Sequence, residues 1–321
     1  MSDTTTSTLV SSVKRKSLLP TGMISDTDIV ELMDDELKVT IQPFLMKLRE
    51  DYFATWVDYT TGGSNIFSIP SDAIGAKLKD VVFFQEGTQE AFVNVTRLSI
   101  EELSANRYDS MRPYGFYLMD NQLQLYPQNY AAGQVLRMYY YKRLNKLVPV
   151  TDTVSGVEET YACKITQKTG NAATVDAIPT DWAVGTPIDL IGGTYPFGLN
   201  YTNGVRSTTT KVYEITDITG NVITLDSDTY QVGDYLCARG ETVLPQVPAE
   251  CYPLLVQATV IKVLESMKDD KGLKLAQEYY AKIEDSILTL LTPRVDGEVK
   301  KIVGAGGLWD YNKISTRRPW G

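Results

Sequence analysis

No histidine occurs among the 321 residues of this sequence. That absence removes the Ser-His-Asp triad, the Cys-His dyad, the histidine general base and every histidine-ligated metal site. Cysteine is nearly as scarce. Cys163, Cys237 and Cys251 are odd in number and form no CxxC pair, so neither a disulfide framework nor a zinc site of ordinary spacing is expected. The three read as small buried apolar side chains. No apolar run approaches the ~20 residues that span a bilayer; patches such as 254–258 are quickly broken by polar residues. After Lys14, Arg15 and Lys16 only the short stretch 17–19 could serve as the apolar part of a leader. A protein that is cytosolic in its producing cell, with no membrane association, is therefore expected.

Motifs for phosphate binding and nucleophilic catalysis are missing as well. There is no GxxxxGK[ST] loop and no G-x-S-x-G elbow; Gly304-Ala305-Gly306-Gly307 has neither a strand pattern before it nor a helix after it. Carboxylates are plentiful, 40 in all, but no pair stands out. Asp34, Asp35 and Glu36 read as a solvated helix face, and Asp269, Asp270 and Lys271 as residues of a turn. A non-enzymatic protein is expected, with no catalytic residue, no metal and no cofactor.

Net charge is −9 and unevenly placed. Residues 294–321 carry six basic against three acidic residues, net +3, which leaves −12 for the rest. A chain of this sign is not built to grip duplex DNA. The basic tail suits an acidic protein surface or a phosphate backbone.

Residues 1–23, rich in Ser and Thr, read as a flexible arm. Residues 25–57 read as helical, capped by Ser25 or Asp26, with Ile29, Leu32, Met33 and Leu37 on one face and Pro43 as an interruption. Strands are expected at 66–69, 78–84 and 92–95, a short capped helix at 99–106, a hairpin over 116–126 turning at Asp120-Asn121, and a strand at 135–141. In the last, Tyr139, Tyr140 and Tyr141 alternate sides, so that strand is covered on both faces or lies at an interface. Residues 248–292 read as a helical hairpin with one apolar stripe per helix, Pro248 near its start and Pro293 at its end.

Residues 150–240 contain an internal repeat. Ile165-Thr166, Thr169-Gly170-Asn171, Thr174-Val175-Asp176 and Val184-Gly185 recur as Ile215-Thr216, Thr219-Gly220-Asn221, Thr224-Leu225-Asp226 and Val232-Gly233. Each copy reads as strand, Gly-Asn turn, strand, Val-Gly turn, strand. Two copies suit a small barrel or sandwich with approximate two-fold symmetry. The fold class is thus α+β: a helical-bundle body with β-hairpins, an inserted all-β domain, and arms at both ends. The boundaries are 1–23 for the N-terminal arm, 24–147 plus 241–293 for the body, 148–240 for the insert and 294–321 for the C-terminal tail.

Two segments stand out for recognition. In the insert, Tyr195, Phe197 and Tyr201 form an aromatic loop suited to a partner protein or a glycan. In the tail, Arg294, Lys300, Lys301, Trp309, Tyr311, Arg317, Arg318 and Trp320 cannot fold alone but include the residue types that anchor interfaces.

The order of segments carries a resemblance. Phe67-Ser68-Ile69-Pro70-Ser71-Asp72 is followed by Gly115-Phe116-Tyr117, Leu123-Gln124-Leu125-Tyr126-Pro127, Gly133-Gln134-Val135-Leu136-Arg137-Met138-Tyr139-Tyr140-Tyr141, and a closing helix pair that runs into Leu291-Thr292-Pro293-Arg294. Over 60–148 and 241–303 the chain resembles the head-to-tail adaptor, or connector ring, proteins of tailed bacteriophages. The resemblance implies a structural virion protein of the neck. It implies a homo-oligomeric ring, twelvefold in most such phages, mounted beneath the portal and touching other neck or tail proteins. The ring would continue the channel for genome ejection, through which DNA passes without sequence-specific binding. An acidic body suits such a channel, since carboxylates repel phosphate. The tail, 294–321, would dock on the portal. The insert departs from the shortest members and is expected to contact a glycan or another tail protein.

Overall fold

The protein's computed structural model describes residues 4–20, 23–61, 65–84, 92–99, 115–126, 135–154, 157–192, 201–202, 205–206, 213–226 and 230–292. Its first element corrects the expected flexible arm. Thr6–Ser17 form helix α1, with Leu9, Val10, Val13 and Ser17 buried along one face. Thr6 anchors the helix start: its amide donates to the Val243 carbonyl at 2.9 Å and its hydroxyl to the Val148 carbonyl at 2.9 Å. The hydroxyl-rich composition concealed a narrow apolar stripe that needs a partner to hold it.

Helix α2 (Asp26–Glu36) starts at a capping box: Ser25 Oγ accepts from the Asp28 amide, and the Asp28 carboxylate accepts from the Ser25 amide. It runs through a π-helical turn, Leu37–Ile41, into α3 (Gln42–Leu48). The Gln42 amide reaches back five residues to the Leu37 carbonyl. Pro43 follows at the start of α3, where its missing N–H costs least. Helix does not persist to 57 as the sequence pattern implied. After a 3-10 turn (Glu50–Phe53), β1 (Ala54–Thr60) begins, in a stretch of Thr, Trp, Val and Tyr that favours strand.

The following strands are β2 (Ile66–Ser68), β3 (Ala73–Phe84), β4 (Phe92–Asn94), β5 (Thr96–Arg97), β6 (Gly115–Met119), β7 (Gln122–Tyr126) and β8 (Val135–Lys142). They form two four-stranded sheets, β1-β8-β3-β4 and β2-β7-β6-β5. Both turn residues of the β6–β7 hairpin, Asp120 and Asn121, have positive φ (49° and 59°), the conformation of a type I′ turn. Phe67, Val81, Phe116, Leu123, Leu136 and Met138 close the space between the sheets. The expected short helix at 99–106 lies outside the described residues.

β9 (Lys146–Leu147), β10 (Thr151–Val154) and β11 (Val157–Thr160) lead to the repeat region. There β12 (Ala162–Thr169), β13 (Ala172–Val175), β14 (Pro187–Ile191), β15 (Tyr201–Thr202), β16 (Val205–Arg206), β17 (Tyr213–Thr219), β18 (Val222–Leu225), β19 (Tyr235–Ala238) and β20 (Glu241–Thr242) follow. Of the two all-β forms considered, the chain adopts the barrel, closed in the order β12-β13-β18-β17-β14-β19. The repeated residues bond across copies. The Asn171 carbonyl accepts the Leu225 amide and the Asn221 carbonyl the Val175 amide, each at 2.9 Å. Register shifts fall at Ile165/Gln167 and Ile215/Asp217. The carbonyl of Ile215 accepts the amide of Gly185 (2.8 Å), and that of Ile165 the amide of Gly233 (2.9 Å). Ile165, Val175, Ile188, Ile215, Ile223 and Leu236 fill the interior.

Helices α4 (Tyr252–Met267) and α5 (Asp270–Leu291) end the described chain. Lys268 in the left-handed conformation stops α4, and the Asp269 carboxylate caps α5 by accepting from the Gly272 amide at 3.1 Å. Nine of the 16 residues of α4 are buried, against two of 22 in α5, so α4 is the central helix and α5 lies outside it. Val13, Met33, Leu45, Leu254 and Val263 belong to one continuous core with Leu144 and Leu147. The class is α+β.

Candidate interaction surfaces

The eight tail residues Arg294, Lys300, Lys301, Trp309, Tyr311, Arg317, Arg318 and Trp320 lie outside the described residues, as do Tyr195 and Phe197. Tyr201 begins β15 and pairs with Arg206 of β16.

β8 is covered on both faces. Tyr140 is buried, with its hydroxyl 3.1 Å from an Asp72 carboxylate oxygen; Tyr141 is buried on the other side and donates to Glu50 at 2.9 Å. Lys77 and Lys79 approach the Tyr141 ring at 5.0 and 5.9 Å. Burial, followed by the bond to Glu50, raises the Tyr141 hydroxyl pKa. Two residues before Tyr139, the Arg137 guanidinium grips Asp58 with two bonds of 2.7 and 2.8 Å and stacks 5.1 Å from the Trp56 ring. This strand is structural, not a free surface.

The acidic run on α2 divides, which corrects the solvated-face reading. Asp34 is buried: one carboxylate oxygen accepts the Leu147 amide at 2.9 Å, the other the Lys38 ammonium at 2.5 Å. Glu36 is also buried and accepts the Thr40 hydroxyl at 2.7 Å. Asp35 alone stays exposed. Among the described residues no three Cys, Asp or Glu side chains are grouped to hold a metal ion, and no helix is long and apolar enough to cross a membrane.

All three thiols are buried. Desolvation pushes the Cys251 pKa up to about 12 and those of Cys163 and Cys237 higher still. A protonated, enclosed thiol is a poor nucleophile.

Between barrel and helices lies a polar joint that sequence reading missed. β20 pairs in parallel with β9, so the chain enters and leaves the barrel side by side. Asn145 is the hub: its amide donates to Gln246 Oε1 at 2.7 Å, and its side-chain nitrogen to Asp189 Oδ2 at 3.0 Å and the Glu241 carbonyl at 3.3 Å. Asp189 Oδ2 also accepts the Gly240 amide at 2.9 Å.

A second missed feature is the outer face of α5. Leu275, Tyr279 and Leu290 are 68%, 51% and 68% exposed. With Pro253, Ile283 and Ile287, the last two of these border a groove of about 300 Å³ that Lys282 and Glu250 also line. The signal was present: 275, 279 and 290 form a stripe one position off the core stripe 276, 280, 283 and 287.

A family model described as SU10 adaptor protein matches residues 4–164, about half of the chain. No curated protein matches. The matched range takes in α1 to α3, all eight strands of the two four-stranded sheets, β9 to β11 and the start of the first barrel strand, β12.

Proposed function

This chain belongs to the SU10 adaptor protein family of tailed-bacteriophage head-to-tail adaptors, and from that premise we propose that it is the neck ring subunit that links the portal to the tail. The family is a structural one, and its members are virion components that meet other head or tail proteins. The single observation that carries the reading is the family match over 4–164; beside it, among the described residues, the buried carboxylates of Asp34 and Glu36 hold the fold together through hydrogen bonds and the three thiols are enclosed.

In the proposed ring, catalysis plays no part and shape and contact carry the function. The body, 24–147 with 241–293, forms the wall of a twelvefold ring, and the ring continues the channel through which the genome is ejected. The insert, 148–240, faces outward toward other neck or tail proteins. The basic tail, 294–321, docks on the portal through Arg294, Lys300, Lys301, Trp309, Tyr311, Arg317, Arg318 and Trp320 and orders as it binds.

Two measurements test this. Quantitative mass spectrometry of purified virions should give about equal copies of this protein and the portal. Hundreds of copies would assign it to the capsid or tail tube, and absence from the particle would end the adaptor reading. Deleting 294–321 should leave a folded protein that no longer joins particles; normal occupancy of the truncated chain would refute portal docking by the tail.

A further inference from the structure

Two exposed helix faces of this molecule carry matching patterns. On α5 the stripe Lys271, Leu275, Tyr279, Lys282 and Leu290 is basic and apolar, and its lower half opens into the groove beside Pro253. On the α2–π–α3 helix, Glu31, Asp35, Val39, Pro43 and Lys47 are exposed at intervals of four, an acidic stretch leading to an apolar one. Val39 is 73% exposed, among the highest values for a large apolar side chain here. It projects from the π-helical turn, one turn beyond Asp35.

We propose that these faces meet between neighbouring copies, with Val39 of one subunit seated in the α5 groove of the next and Asp35 beside its Lys282. The inference rests on the ring reading above and adds which surfaces touch. Charge complementarity selects a second copy as the occupant: the acidic end, Glu31 and Asp35, faces the lysines of the α5 stripe. Lys47, two turns past Val39, provides the counterpart to Glu250 in the groove. The two faces also lie on different flanks. Lys16 of α1 stands 5.6 Å from the Tyr279 ring centre, which sets the stripe on the α1 side. The neighbouring Tyr280 instead packs, partly buried, against the helical core. A two-fold dimer would pair both patches only if the two faced the same axis. They join head to tail, and such contacts close into rings. Burying the stripe would also cover apolar area that a lone subunit leaves in water.

The test uses full-length protein incorporated into particles by complementation. Val39→Cys and Leu290→Cys together should give a ladder of disulfide-linked multimers on mild oxidation, whereas each single variant stays monomeric; the native thiols are buried and do not interfere. Asp35→Lys and Lys282→Asp should each lower particle yield about tenfold, and the two combined should restore most of it. Circular dichroism of the purified variants checks that each is folded. A lysine-reactive cross-linker reports self-association independently. If it gives multimers while the cysteine pair gives none and charge exchange rescues nothing, the ring stands and these faces are wrong. If it gives no multimers either, the ring reading itself fails.

Discussion

Replacing Gly185 or Gly233 with alanine probes the reciprocal design of the barrel. Both glycines hold positive φ, 87° and 100°, and a Cβ added at either would meet nothing within 4 Å. The penalty is therefore backbone strain alone, about 1–2 kcal/mol for an L-residue forced into this region. Each amide still has its bond to make, Gly185 to Ile215 and Gly233 to Ile165, so strain and bond oppose each other at both sites equally. Hydrogen exchange followed by mass spectrometry reads the result locally, because barrel amides report the barrel's own opening free energy. Peptides covering β12–β13 and β17–β18 should exchange about 5–30 times faster in either variant, and both hairpins should respond to either substitution, since each glycine serves the other copy. Peptides from α2 and β8 should not change. Exchange that rises only in the copy carrying the substitution, or that stays at the wild-type rate, would refute cross-copy closure.

Other consequences are open to simpler assays. Asp34→Ala leaves the buried Leu147 amide without its acceptor and should cost about 1–3 kcal/mol in urea unfolding, while Asp34→Asn, which keeps an oxygen, should lose less. Glu241 has its pKa raised by burial, with Asp181 adding to the effect and Lys146 opposing it. Its folded pKa exceeds the unfolded one near 4.3, so the associated stability is complete below that pH and is lost as pH rises through the folded value. Glu241→Gln should therefore gain on the wild type between acid and neutral pH, by less than about 1 kcal/mol because the group is only partly buried; equal curves would refute the assignment. The three thiols should resist an aromatic disulfide reagent at pH 8 in the native protein and all react in denaturant; rapid native labelling would contradict their burial.

Much of the fold was legible where a pattern is local. The capping box at Ser25 and Asp28, the Asp120-Asn121 turn and the helical hairpin all follow from residues within a few positions of each other. The repeat was legible because a two-fold barrel needs the same turn and bulge twice. What escaped was decided by distant partners. The apolar stripe of α1 is short, and its helix is secured by Val148 and Val243, more than 130 residues away. Asp34 looked like one of three solvated carboxylates, yet the Leu147 amide, 113 residues on, draws it inside. Among candidate sites, the thiols were read as packed; the β8 tyrosines were left between covered faces and an interface, which the burial of Tyr140 and Tyr141 decides for the first; and the α5 stripe was merged with the core stripe beside it.

The joint between helices and barrel explains how a repeat-built insert can be mechanically part of the body. A domain on a flexible linker swings freely and transmits little force. Here the two connecting strands are paired, with the Lys146 amide on the Gly240 carbonyl at 2.8 Å and the Val148 amide on the Thr242 carbonyl at 3.0 Å. Thr6 at the start of α1 then bonds the residue that follows each strand, Val148 and Val243. Asn145 ties the same point to Asp189 inside the barrel wall, and Asp34 ties it to α2. Val148, Ala162, Ile191, Tyr235 and Val243 pack beneath these bonds. A rotation of the barrel against the helices would have to break several buried hydrogen bonds together, each leaving a group unsatisfied at about 1–3 kcal/mol. The barrel and the helices therefore move as one piece, and a load applied to one is felt at α1 and α2 of the other.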